Sequence, residues 1–163
     1  CILISCLQTF NIKTLYMCRG VFWGGRALKK ISNVQIGEIG EHICATRLLK
    51  MDVPAQIVHM GCTDIVAEQD NRLWRVQVKT SQLKANGKNT LSYQFAVCKG
   101  GKKTPLSFSD CDIVALVSYE MERVMFLPVG CLRNAITKRL KVSTFDDENL
   151  CQTSWQRCID YYS

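Results

Sequence analysis

The chain has 163 residues, 47% of them hydrophobic and 21% charged, with a formal net charge of +7. Those proportions fit one folded domain with an ordinary core, not a disordered or low-complexity chain. The excess of base favours an anionic partner, and no apolar run is long enough to span a bilayer, so no membrane partner is expected.

Residues 1–30 read as an N-terminal extension, expected to be poorly ordered or not native. Gln8, Asn11 and Lys13 interrupt its apolar stretch, no basic segment precedes it as in a signal peptide, and Met17 offers an alternative start. The domain proper is expected over 31–163. Ser32 or Asn33 can cap a first helix, with Ile36, Ile39, Ile43, Leu48 and Leu49 as its apolar stripe. That helix should end near Met51–Asp52, ahead of Pro54. A strand is predicted over 55–60, then two strands, 63–68 and 73–79, around Asp70-Asn71. Both turn residues tolerate the positive φ of a tight hairpin. Residues 80–90 read as a polar loop, 91–98 as a strand and 99–105 as a basic turn. Two more strands follow at 111–118 and 123–127. Helices are expected over 129–140 and from Asp147 toward Tyr161. A helix, mostly antiparallel strands and closing helices make a single α/β or α+β domain.

The hairpin sets a register. Centred on Asp70-Asn71, it puts Asp64 opposite Gln77, their Cβ atoms about 5 Å apart on one face, with Lys79 two residues on. The other face then holds Ile65, Ala67, Trp74, Val76 and Val78, an apolar set fit for a core. Beyond it, Arg72, Arg75, Lys79, Lys84, Lys88, Lys99, Lys102 and Lys103 follow with no acid before Asp110. Such a one-sign stretch suits a polyanion.

Ten cysteines are many, but no Cys-x-x-Cys occurs and His42 and His59 are the only histidines, so no zinc site is read. Cys44, Cys62, Cys98 and Cys111 are expected as small buried hydrophobes. Reduced thiols imply a reducing, cytoplasmic compartment; the alternative is a secreted disulfide framework.

Metal-assisted phosphodiester hydrolysis needs hard oxygen ligands for Mg²⁺, a positioned water and positive charge near the phosphate. Asp64 can supply the central ligand, Glu41 a second from the first helix, Gln77 an amide oxygen and Val78 a backbone carbonyl. Lys79 can orient the water or stabilise developing charge.

Asp64, twelve residues, then Gln77-Val78-Lys79, preceded by Gly37-Glu38-Ile39-Gly40-Glu41, resembles the PD-(D/E)XK nuclease superfamily. The Gln-x-Lys form is similar to group I intron homing endonucleases of this type. The Gly-x-x-x-Glu helix with Leu48 seven residues after Glu41 is similar to archaeal-type Holliday junction resolvases. The resemblance runs from about Val34 to Pro128. It implies a restriction-endonuclease-like core with a mixed central sheet flanked by helices. It also implies a Mg²⁺ (or Mn²⁺) site on Glu41, Asp64 and Gln77, Lys79 as catalytic lysine, and DNA as substrate for a dimer. Glu38 stays open as the alternative helix ligand. Thr63 stands in place of the family's proline, and the neutral Gln77 leaves one negative charge fewer. Arg75, Thr80, Ser81, Lys84, Lys88, Lys99, Lys102 and Lys103 are the candidate DNA contacts. Two other classes remain: a nucleic-acid-binding module of the same fold without catalysis, and a small α+β interaction protein whose lysines only solubilise it.

Overall fold

The computed structural model describes residues 31–86, 90–100 and 103–163. The first helix, α1 (Asn33–Leu49), starts at a capping box. The Gln35 N–H donates to Ser32 Oγ at 3.2 Å, and the Ser32 N–H donates to Gln35 Oε1 at 3.0 Å. Its buried positions are Ile36, Gly40, Cys44 and Leu48, whereas Ile39 is 37% and Leu49 57% exposed. The buried stripe therefore keeps Ile36 and Leu48 of the predicted one but runs every fourth residue through Gly40 and Cys44, not through Ile39 and Leu49. After α1, Asp52 takes a positive φ of 60° and turns the chain into β1 (Ala55–Met60).

β2 (Thr63–Gln69) and β3 (Arg72–Ser81) pair antiparallel around Asp70 and Asn71, both at positive φ, 55° and 57°. Ile65 faces Val76 and Ala67 faces Trp74, the expected register. The strand runs through Ser81 instead of ending at Lys79. β4 (Leu83–Asn86) then pairs antiparallel with β5 (Thr90–Ala96), so most of the predicted 80–90 loop is sheet. A short pair follows, β6 (Cys98–Lys99) with β7 (Thr104–Pro105). β8 (Ile113–Ser118) lies parallel to β3, and β9 (Arg123–Pro128) antiparallel to β8.

No helix forms over 129–140. One 3-10 turn, Val129–Leu132, stops at Arg133 and Asn134, consecutive left-handed residues at φ 48° and 63°. Beyond them β10 (Thr137–Lys141) alternates outward and inward side chains and pairs with β5. A closing helix, α2 (Leu150–Tyr162), packs on β9.

The five-stranded sheet, order β1-β2-β3-β8-β9, is mixed, its one parallel pair being β3–β8. Both helices cover one face, closing a core of Cys44, Leu48, Ile65, Trp74, Val76, Val78, Phe126, Trp155 and Ile159. The opposite face is covered by the three-stranded sheet β10-β5-β4. There Tyr93, Phe95 and Phe145 meet Val114 and Leu116 from the back of β8. β8, clad on both sides, is buried at every residue, as its Ile-Val-Ala-Leu-Val-Ser run requires. The seven cysteines among the described residues are free; Cys44, Cys111 and Cys158 are buried, Cys62 and Cys98 half-buried. Burial pushes the Cys111 thiol up to about 12, leaving it protonated and inert. Among the described residues no helix is long and apolar enough to cross a membrane.

Candidate active site

The site is built where β2 begins alongside β3. Ladder parity turns Asp64 and Gln77 away from the core that Ile65 and Val76 enter. Asp64 Oδ2 accepts from the Val78 backbone N–H at 2.7 Å and from the Gln77 side-chain amide. The same amide nitrogen lies 3.4 Å from the Val78 carbonyl oxygen. Lys79 follows on the same face, half-buried, near enough for its charge to favour ionisation of Asp64. The acid, the carboxamide and the amine therefore share one side of the sheet.

Glu41 arrives from α1. Its approach depends on Gly40, whose missing side chain lets the helix settle on Thr80. Glu41 is pushed above the ordinary carboxylate range by burial and then by the Asp64 charge, with His59 pulling the other way. Asp64 is also raised, by burial above all, against the Val78 N–H, Lys79, Gln77 and His59, which each lower it. Burial thus raises both carboxyls, and the Asp64 charge raises Glu41 further.

The donor set fits a hard divalent cation. Asp64 and Glu41 supply anionic oxygens and Val78 a carbonyl. A half-turn of the Gln77 amide exchanges Nε2 for Oε1, adding a third oxygen beside Asp64 Oδ2 and Val78 O. Among the described residues no three His, Cys, Asp or Glu side chains gather closely enough to hold a metal, so any such site relies on the amide and carbonyl oxygens. Glu38 is exposed one turn back along the helix.

Sequence reasoning missed His59. The β1–β2 register breaks between Ile57 and Met60, His59 takes φ 49°, and its Nδ1 comes within 3.6 Å of Glu41 Oε2. A bulge that re-aims a side chain beside a site is a recurrent device. The His-Met-Gly-Cys string carries no signal for it beyond the glycine.

The proposed DNA contacts divide. Lys84 and Lys103 are exposed. Arg75 is engaged internally: its N–H and guanidinium bind Asp112, and its guanidinium also reaches the Phe108 and Ser109 carbonyls. Lys99 is paired with Asp110. The Thr80 hydroxyl is buried without a hydrogen-bond partner, and Ser81 is buried with its hydroxyl bound to the Gln94 backbone. Lys88 and Lys102 lie outside the described residues.

No protein-family profile matches this chain, and no curated protein does. Among solved structures the chain is similar to a bacterial homing endonuclease, I-Ssp6803I, with a TM-score of 0.58 over 80% of this chain and 93% of that one. Identity across the match is 18%, so what the two share is the fold.

Proposed function

We propose that the chain is a divalent-metal-dependent DNA endonuclease of PD-(D/E)XK type in its Gln-x-Lys form. The observation that carries the reading is the grouping of Asp64, Gln77 and Lys79 on one side of the β2–β3 ladder, with Glu41 of α1 within electrostatic reach of Asp64. It is supported by a fold shared with a bacterial homing endonuclease.

Asp64, Glu41, Gln77 and Val78 would hold a magnesium ion, which when bound supplies Lewis acidity and a more acidic water. Asp64 is kept in place by the Val78 N–H, so its carboxylate is aimed before any ligand arrives. Lys79 is placed to hold a water or a non-bridging phosphate oxygen and to offset charge that develops in the transition state. His59 steadies the Glu41 carboxylate from the outer side. Two copies would be required to cut both strands of a duplex.

The neutral Gln77 and the two-carboxylate site favour one second reading, a DNA-binding module without catalysis. Incubating supercoiled plasmid with Mg²⁺ or Mn²⁺ separates them. Metal-dependent nicking that disappears in both Asp64→Ala and Lys79→Ala sustains the nuclease. DNA binding without nicking under either metal sustains the module. A four-way junction beside a linear duplex distinguishes resolvase-like from homing-type activity.

A further inference from the structure

The three-stranded sheet has an outer face on which only Lys84 has so far been given a role, as a candidate DNA contact. Register puts Lys84 opposite Ser92 and Ser92 opposite Lys141, one rung across all three strands. On β10 and β5 the adjoining same-face pair is Arg139 opposite Gln94, and the next is Thr137 opposite Ala96. Lys84, Arg139 and Lys141 are exposed, none forms an ion pair among the described residues, and this face carries no acid. Glu120 comes near, but its carboxylate accepts the Leu83 backbone N–H at 3.0 and 3.1 Å. The inner face holds Tyr93 and Phe95, both fully buried, so the sheet is anchored from behind.

We propose that this outer face docks duplex DNA, with Lys84 and Lys141 on phosphates and the Arg139–Gln94 pair at base edges. The inference rests on DNA being the partner, and it adds the surface that positions it. Neighbouring strands lie about 4.8 Å apart, so the two lysines stand about 10 Å apart across the sheet, close to the roughly 12 Å width of a major groove. On the adjoining rung, beside the lysines and not between them, an arginine and a glutamine are the side chains whose paired groups match guanine and adenine edges. Arg139 Nη2 donates to Gln94 Oε1 at 3.5 Å, a bond that does not engage the glutamine NH₂. The face is also tied to the cutting site. Ser81, two residues after Lys79 on β3, donates its hydroxyl to the Gln94 carbonyl and accepts the Gln94 N–H, both at 3.0 Å. DNA held on Gln94 is thereby held at a fixed offset from Lys79.

The test measures anisotropy of a labelled duplex against salt, metal-free, together with sequence selection from a randomised duplex pool. Lys84→Ala and Lys141→Ala should each lower the slope of log K against log salt by about one, leaving the selected sequences unchanged. Arg139→Ala and Gln94→Ala should change the selected sequences. Arg157→Ala, an exposed base on α2, should change neither. A wild-type slope in both lysine variants overturns the docking face. Unchanged selection in Arg139→Ala and Gln94→Ala overturns the base-reading pair. Tighter binding of an RNA duplex overturns DNA as the occupant. Plasmid nicking is scored separately: nicking with unaltered slopes sinks this inference alone. Lowered slopes without nicking sustain it and sink the catalytic reading, and no salt-sensitive binding by wild type sinks both.

Discussion

Gly40 and Thr80 touch so closely that a methyl group on the glycine would lie 1.8 Å from Thr80 Oγ1 and 2.9 Å from its Cβ. Rotating the threonine moves Oγ1 but not Cβ, which lies on the rotation axis, so the second clash stays. Gly40→Ala would gain about 1 kcal/mol in helix propensity, yet the overpacking costs about 1–3 kcal/mol and moves α1 outward. The variant should be destabilised, and because Glu41 is the next residue its nicking activity should fall further than its stability. Denaturant melts with parallel nicking assays check this, and Thr80→Ala in the Gly40→Ala background should restore part of both.

Asp64 combines burial with a raised proton affinity, so its charge is a burden on the metal-free fold. Asp64→Asn keeps a carbonyl oxygen for the Val78 N–H while removing that charge. In EDTA its Tm should equal or exceed that of wild type. Mg²⁺ at 100 times its Kd should stabilise wild type by about 2.7 kcal/mol and leave Asp64→Asn unmoved. A larger metal-induced Tm shift in the variant than in wild type would remove Asp64 from the metal site.

The pH dependence has a definite sign. Asp64 and Glu41 both bind protons more tightly folded than unfolded. In metal-free protein their penalty is absent below the ordinary carboxylate values of about 4. It grows as pH rises through the raised folded values, so stability should decline across that window. Metal affinity runs the opposite way, because ligation needs both groups ionised. Activity should therefore fall on acidification at a higher pH than ordinary carboxylates would give. Parallel pH titrations of Tm in EDTA and of nicking in Mg²⁺ should slope in opposite directions.

The hairpin was legible because turn chemistry and alternation agree: Asp70-Asn71 fixes the register, and Ile65, Ala67, Trp74, Val76 and Val78 fix the inward face. That one register brought Asp64 to Gln77. The α1 stripe is legible at Ile36 and Leu48 only, because apolarity does not show where space decides: Gly40 and Cys44 are buried by close approach, and Leu49 is not. β10 was misjudged because Leu132, Ile136 and Leu140 recur every fourth residue, the spacing of a helix. The paired left-handed residues Arg133 and Asn134 announce themselves only weakly in sequence. His59 depended on a bulge, and no local pattern codes for its reach to Glu41.

Arg75 illustrates why a basic stretch is not a list of DNA contacts. Asp112 opens β8 and accepts both the Arg75 backbone N–H, at 2.9 Å, and its guanidinium. Burial would raise the Asp112 carboxyl, yet those bonds hold it below its usual range. Asp112→Ala leaves the part-buried Arg75 N–H without its acceptor and the guanidinium with only the Phe108 and Ser109 carbonyls, and should cost about 2–3 kcal/mol. Arg75→Ala should cost less, since its side chain is 41% exposed and screened by water. Arg75→Ala should also leave the salt slope of DNA binding at its wild-type value, unlike Lys84→Ala. A drop of about one in that slope would show that Arg75 neutralises a phosphate.

Gln77→Glu asks whether the neutral amide limits the site. The substitution adds a second carboxylate against Asp64, in a pocket where Gln77 is 7% exposed. Without metal, two opposed charges there should repel, lowering Tm and raising the proton affinity of the pair further. With metal the same charge becomes a ligand, so apparent Mg²⁺ affinity should rise by an order of magnitude or more, read as the metal concentration giving half the full Tm shift. The two effects have opposite signs only if a cation sits between residues 64 and 77. Destabilisation that persists at saturating Mg²⁺ would mean that the amide serves packing alone, and the ligand set would have to be sought without it.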